Sequence, residues 1–451
     1  MTGSVLRRAP GPLLPLLLLA LVCVCGAAEL PRPSYANQPR PSYADIAAGN
    51  HKKPGYVAPA PAPAHAPAPS PVNEAAVAQA VTQFSLNVAK DVIGGADGNV
   101  VVSPLGVAHL LSLLQQAAAP FSDTEAQLEK GLLLDKESSS RGIPQLLRNA
   151  ITKPRSKSVL ENGNSLFVNA EWRLKPDFLG LAHSTYDMDV ASLDFKQADA
   201  AVAAINKWAS DATHGLIPAL VSKGSVNPRT NLVLASAMYF RGVWQRQFDV
   251  GKTVQRLFSV SPAQNATVFM MQQAGDYRFG ELSDLGAQWL EIPFDGEHFS
   301  MLVLLPNQRH GADEVLQRLQ AHHIQAMVSP SPPRRAILLM PRFQISTDAG
   351  LTHALKNLGI HSLFGRDAKL RGISDNVLSV SDVVHKAQMK VDEQGAVASA
   401  ASAVLVNTLS LINFSDDMRF NVDHPFLAII VDRTTKLPLF ISRVAYPDRS
   451  F

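Results

Sequence analysis

The chain has 451 residues, 46% hydrophobic and 18% charged, and its 41 basic and 38 acidic side chains leave a formal charge of +3. That length and apolar fraction support a large buried core, and so small a charge excess does not argue for nucleic acid as a partner. The two cysteines, Cys23 and Cys25, both fall in an N-terminal leader-like stretch, which excludes a disulfide framework, a cysteine nucleophile and a thiolate metal site from the mature protein.

Residues 1–28 read as a secretory signal peptide. Arg7 and Arg8 give the positive start, and Leu13 to Val24 is apolar apart from one proline but shorter than a membrane span of about 20 residues. Gly26-Ala27-Ala28 supplies small residues for cleavage after Ala28. No other stretch resembles a membrane span, so a secreted, extracellular protein is expected. Residues 29–72 are a different polymer. Pro31-Arg32-Pro33-Ser34-Tyr35-Ala36 recurs as Pro39-Arg40-Pro41-Ser42-Tyr43-Ala44, and Ala58 to Pro71 alternates alanine and proline. Proline lacks an amide donor and fixes φ, so this Pro/Ala-rich extension favours polyproline II and builds no core. It is expected to be a stiff spacer, the alternative being a docking arm that uses Tyr35, Tyr43 and Tyr56.

One domain is expected over residues 73–451, with no second linker. Ala75 to Ile93 places Val77, Val81, Phe84, Val88 and Val92 at helical spacing, and the run from Gly94 to Gly98 ends it. Asn99 to Ser103 reads as a short buried strand feeding a helix that starts at Pro104. Further strands are predicted at 164–169, 231–244, 289–294, 300–305 and 337–341, and a helix at 200–215. Helices come mostly early and strands mostly late, which argues for an α+β fold with large, mostly antiparallel sheets.

Enzyme signatures are missing: there is no Gly-x-Ser-x-Gly elbow, no His-Glu-x-x-His and no Walker loop. The chain is therefore not expected to be an enzyme, and no cofactor is expected. His322-His323 is the one metal-like pair, and adjacent histidines on a polar helix are expected to face water rather than bind metal. The basic run Arg148, Lys153, Arg155 and Lys157 is a candidate surface for a sulfated polysaccharide. Two glycosylation sequons, at Asn265 and Asn413, belong on the surface if they are used.

The most informative stretch runs from Glu393 to Ser410. It carries no charge after Glu393, and every side chain from Gly395 to Ala403 is small except Val397. Composition alone suggests an alanine-rich helix. Yet Ala396, Ala398, Ala400, Ser402, Val404 and Val406 alternate as one face of a buried strand. Around it stand Val384-His385-Lys386-Ala387, then Val391-Asp392-Glu393-Gln394-Gly395, and later Asp423-His424-Pro425-Phe426-Leu427 and Leu437 to Val444. Asn206, Trp208, Thr213, Gly215 and Ile217 form a further group, as do Ala237 to Trp244, Leu358-Gly359-Ile360 and Phe364. In this order the motifs resemble the serpins, the serine-protease-inhibitor family, over nearly all of Asn73 to Pro447.

The resemblance implies three β-sheets, about nine helices and an exposed reactive-centre loop. It implies inhibition of a secreted serine protease as a suicide substrate. The protease acylates the loop, the cut loop inserts as a new strand in the main sheet, and the covalently held enzyme is distorted. A monomer that meets neither membrane nor nucleic acid is expected. Family spacing from Glu393 places the scissile bond at Leu409-Ser410, with Leu411 and Phe414 as fallbacks, and leucine suits chymotrypsin- or elastase-like targets. The resemblance also makes Trp244 the family's breach tryptophan and pairs Arg342 with Glu393 at the top of the sheet. Of the buried polar cluster beneath it, Ser103 and His385 are kept, Gly106 stands where serine is usual, and Ser236 where asparagine is usual. His385 is thus expected to lose a partner. Ala396 and Val397 replace a common Thr or Ser and a common Glu.

Gly395 to Leu409 is 15 residues, about 50 Å when extended, and a domain of this size is roughly 55 Å across. Insertion would bury small side chains and add backbone bonds worth on the order of ten or more kcal/mol, whereas one unpaired inward charge would cost several kcal/mol. The alternative is a non-inhibitory binding or chaperone protein of the same fold.

Overall fold

The structure, a computed structural model, describes residues 72–151, 157–396 and 417–447. Its first helix, Glu74–Gly94, begins where Asn73 Oδ1 accepts the amide of Ala76 at 3.2 Å, and its buried face carries Val77, Val81, Phe84 and Val88. The strand Val100–Val102 leads into the helix Pro104–Ala117, whose first-turn proline has no amide to leave unpaired. Almost every residue of that second helix is buried, which is why it reads as apolar all round rather than as a stripe. Nine α-helices and two short 3-10 turns occur among the described residues. None of these helices is long and apolar enough to cross a membrane.

Among the described residues the strands form two hydrogen-bonded assemblies. In the first, nine strands run in the order Val100–Val102, Leu437–Val444, Phe426–Asp432, Phe299–Pro306, Ala287–Pro293, Gln264–Leu282, Arg334–Pro341, Met418–Asn421, with Val254–Ser261 on the other side of Gln264–Leu282. The 19-residue strand Gln264–Leu282 belongs to two sheets at once. Residues 278–282 pair with Ala287–Glu291, and residues 270–277 pair with Arg334–Pro341. Its two ends thus link the second and third of the three expected sheets.

The remaining sheet has six strands in the order Phe343–Gly350, Val380–Val391, Gly395–Ala396, Leu232–Val243, Val159–Asn169, Asp189–Leu193. Its centre departs from the antiparallel expectation. Val380–Val391 pairs parallel with Leu232–Val243, from Val380 opposite Leu232 to Gln388 opposite Tyr239. A parallel neighbour needs a long crossover, and almost 140 residues separate these two strands, a separation that local sequence patterning does not reveal.

The main core lies between this sheet and the rest of the body, with Leu105, Leu111, Phe240, Phe294, Phe343 and Phe440 fully buried. On the outer face the helix Ala198–Ala212 presses Ala201, Ile205 and Ala209 onto Phe167, Val233, Ala235 and Ala237. Asn206 pins the chain that follows it. Its side-chain oxygen accepts the amides of Leu220 and Val221 at 2.7 and 2.9 Å, and its amide donates to the Val221 carbonyl at 2.9 Å.

Candidate functional site

The site grows from the top of the parallel seam. Past Gln388 and Tyr239 the two central strands separate, and the chain turns at Asp392–Gln394 to lay Gly395–Ala396 between them. Ala396 sits opposite both Val391 and Gly242, and Gly395 opposite Val243, antiparallel to each flank. Four consecutive carbonyls of the turn are occupied. Asp392 O accepts the Trp244 indole N–H at 2.9 Å, Glu393 O the Phe248 amide at 2.9 Å, Gln394 O the Trp244 amide at 2.9 Å, and Gly395 O the Asp392 amide at 2.9 Å.

Glycine is required at 395. Its φ is +152°, and a Cβ there would overlap the Gly242 carbonyl oxygen. Trp244 closes the floor of the turn: it is buried and stacks on Phe294, with ring centroids 4.5 Å apart and planes 6° from parallel. One indole therefore braces the ring beneath it and the hinge carbonyl above it.

Charge reinforces the turn. Arg342 Nη1 lies 3.7 Å from Glu393 Oε1, while the cation also rests 4.6 Å from the centre of the Phe269 ring. The nearer partner of Glu393 is one that sequence patterning did not suggest: Thr253 Oγ1 donates to Oε1 at 2.6 Å. Asp392 Oδ1 accepts the amides of Gln394 and Gly395 at 3.0 and 3.3 Å. Burial raises the Asp392 carboxyl above its usual range, against the lowering effect of those two amides and of Lys390.

The polar cluster lies deeper, under the parallel seam. His385 Nε2 accepts the Ser103 amide at 3.0 Å, and Ser103 Oγ donates to the Leu439 carbonyl at 2.5 Å. In the neutral ring the proton is then on Nδ1, which faces the Ser236 main chain but falls short of hydrogen-bond geometry. Burial depresses the His385 pKa to about 4. Gly106 has no room for the usual serine, because a Cβ would overlap Ser236 Oγ and stand 2.8 Å from Asn164 Oδ1. Asn164 is the member that motif matching missed. Its Nδ2 reaches Asn162 Oδ1 at 2.9 Å and His109 Nδ1 at 3.3 Å. His109 packs 5.2 Å from the Tyr186 ring, and Tyr186 Oη meets Ser112 Oγ at 3.0 Å. Burial, helped by Arg148, lowers the His109 pKa to about 3. A chain of buried polar groups thus runs from the seam into the helical layer.

Other expected residues are scattered. Ala398, Ala400, Ser402, Leu409, Ser410 and Asn413 lie outside the described residues, as do Lys153 and Arg155. Arg148 is exposed, and its guanidinium donates to the Thr185 carbonyl at 2.8 Å and to Gln145 at 3.3 Å. Lys157 is exposed and donates its backbone amide to Asp295 at 3.1 Å. Asn265 is exposed on a strand. Asp284 joins His322 and His323, with ligand atoms within 4.8 Å of one another. Both nitrogens of His323 are already engaged, however. Nδ1 accepts the Gln320 amide at 2.9 Å, capping the helix Ala321–Val328, and Nε2 lies 2.7 Å from Asp284. A metal at Nε2 would need Nδ1 to carry a proton where a backbone N–H already points, so this group serves as a helix cap.

Known proteins share this chain's sequence pattern and fold. The family described as Serpin (serine protease inhibitor) matches residues 79–447. The leukocyte elastase inhibitor of Sus scrofa is 33% identical over 358 residues, covering 78% of this chain and 93% of that protein. Neuroserpin of Homo sapiens is 30% identical over 361 residues, covering 78% and 87%. The crystal structure of Serpin48, described as a highly specific serpin in the insect Tenebrio molitor, superposes with a TM-score of 0.75 at 26% identity, over 84% of this chain and all of that one. The seam that parts around a hinge strand, the tryptophan beneath it and the matched length place this chain in the serpin family.

Proposed function

We propose that this serpin is a secreted inhibitor of serine proteases that acts as a suicide substrate, cut near Leu409-Ser410 and aimed at chymotrypsin- or elastase-like enzymes. The observation that carries the proposal is the placement of Gly395–Ala396: the reactive segment leaves the hinge as a strand already registered between the two central strands. Insertion then continues a ladder rather than starting one. Each further residue exchanges the single parallel seam for two antiparallel ones, a net gain of about 1 kcal/mol per added backbone bond. The alternating residues from Ala396 to Ser402 are small and uncharged in sequence, so burying them as a strand would leave no charge unpaired. A relative named leukocyte elastase inhibitor supports the choice of target class.

The test is incubation of the full-length protein with chymotrypsin, elastase and trypsin, read as SDS-stable complexes and as the mass of the released C-terminal fragment. A covalent complex with a chymotrypsin- or elastase-like enzyme and a fragment starting at Ser410 are expected. Ala398→Arg, which puts a charge into the strand, is expected to turn the inhibitor into a substrate, since burying that charge costs several kcal/mol. Cleavage without any complex across the panel would instead favour a non-inhibitory binding role. Sequencing the exported protein should find its N-terminus at Glu29.

A further inference from the structure

The strand Val254–Ser261 is the edge of its sheet: among the described residues its only strand partner is Gln264–Leu282, and although the Ser259 amide donates to the Asp423 carbonyl at 2.8 Å, no strand flanks the stretch around Leu257. Edge strands present unpaired main-chain groups and invite pairing with another chain, more so when apolar side chains flank them. Here Leu257 is 67% exposed and Val254 40%, with Val250 at 66% just before the strand. Such an edge in a dissolved protein is normally covered.

The register identifies the cover. Ser259 stands opposite Asn265, Leu257 opposite Thr267 and Gln255 opposite Phe269. Directly opposed residues of an antiparallel pair share a sheet face, so Asn265, Thr267 and Leu257 all project from the same side. Asn265 and Thr267 are exposed, whereas Ala266 between them is buried against the other face. Both side chains of the Asn-Ala-Thr acceptor are thus presented together, close to the hairpin tip at 261–264. Leu257 is the diagonal neighbour of Asn265, about 7–8 Å away by sheet geometry. The first two sugars of an N-linked core reach beyond that separation.

We propose that Asn265 carries an N-linked glycan whose function is to cover the open edge at Leu257 and keep the molecule monomeric. In the attachment, the Asn265 side-chain nitrogen displaces the diphosphate of a lipid-linked oligosaccharide at C1 of its first hexosamine. A C–N bond forms, the lipid diphosphate leaves, and one amide proton is released. The inference rests on the secretory route proposed above, but not on inhibition.

The test uses the full chain made in a eukaryotic secretory host. Peptide-N-glycosidase digestion in heavy-oxygen water marks each formerly glycosylated asparagine as labelled aspartate and scores Asn265 separately from Asn413. Labelling at Asn265 is expected. The folded, secreted protein is then deglycosylated and its sedimentation followed against concentration. It should become concentration-dependent after sugar removal, and Leu257→Ser should restore the single monomeric boundary. Export with an unmodified Asn265 overturns this inference alone. So does a deglycosylated protein that stays monomeric, or self-association that Leu257→Ser leaves unchanged. Retention in the cytosol with an uncut N-terminus overturns it together with the secretory route. Because sugar is removed after folding, a folding defect in Asn265→Gln does not enter the result.

Discussion

Replacing Gly395 with alanine tests the hinge most directly. The residue has φ +152°, and its Cβ would overlap the carbonyl oxygen of Gly242 on a central strand. That strand is paired on both sides and cannot yield, so the hinge must. Holding a side-chain-bearing residue in such a conformation costs about 1–3 kcal/mol, and overpacking adds about 1–3 kcal/mol. Together, at about 2–6 kcal/mol, they shift the hinge from seated to released by at least roughly thirtyfold, at about 1.4 kcal/mol per factor of ten. Native-state hydrogen exchange reads this residue by residue. The amides of Trp244 and Asp392 donate to Gln394 O and Gly395 O, so both should lose at least roughly thirtyfold protection. Amides of the lower seam around Val384 and His385 should keep theirs. In the inhibition assay the variant should consume more inhibitor per trapped protease, because insertion must first reseat its leading residue. Unchanged exchange at Trp244 and Asp392 would refute the account of the hinge given above.

Acid should weaken the fold through its buried histidines. The folded pKa values of His385 and His109 are depressed to about 4 and about 3, below the usual value near 6.5. Between these limits the unfolded chain binds more protons, so stability is complete above about pH 6.5 and falls as pH drops toward 4. Each histidine contributes on the order of a few kcal/mol to this loss; denaturant midpoints that do not move between pH 7 and pH 4.5 would contradict it. Ser236→Ala should be neutral or stabilising by up to about 1 kcal/mol, because the Ser236 hydroxyl is buried without a partner. Restoring the usual serine with Gly106→Ser should instead cost about 1–3 kcal/mol by overlap with that hydroxyl. Thermal unfolding of the two variants and of their combination checks both signs.

Much of this was legible because burial leaves a local pattern. The helix starting after Asn73, the strand before Pro104 and the small alternating run after Glu393 each carry their signal within a dozen residues. What escaped depends on register. Asn164 meets His109 from 55 positions away, and Tyr186 meets Ser112 across 74. Thr253 lies 140 positions from the Glu393 it serves, and no spacing rule connects them. The loss of a partner for His385, expected from Ser236 standing in place of asparagine, agrees with the incomplete contact at its Nδ1. The crowding at Gly106 was invisible, because glycine in a helix reads as a weak position rather than as one that neighbouring polar groups have filled.

The grip on residues 392–395 is addressed to atoms that every amino acid possesses: four peptide oxygens receive protons from an indole and three peptide nitrogens. Such a clasp is blind to side-chain identity. A change of side chain at Gln394 therefore leaves all four main-chain bonds in place. Gly395, whose very lack of a side chain lets two backbones meet, is withheld from that freedom, and so are Asp392 and Glu393, whose carboxylates make bonds of their own.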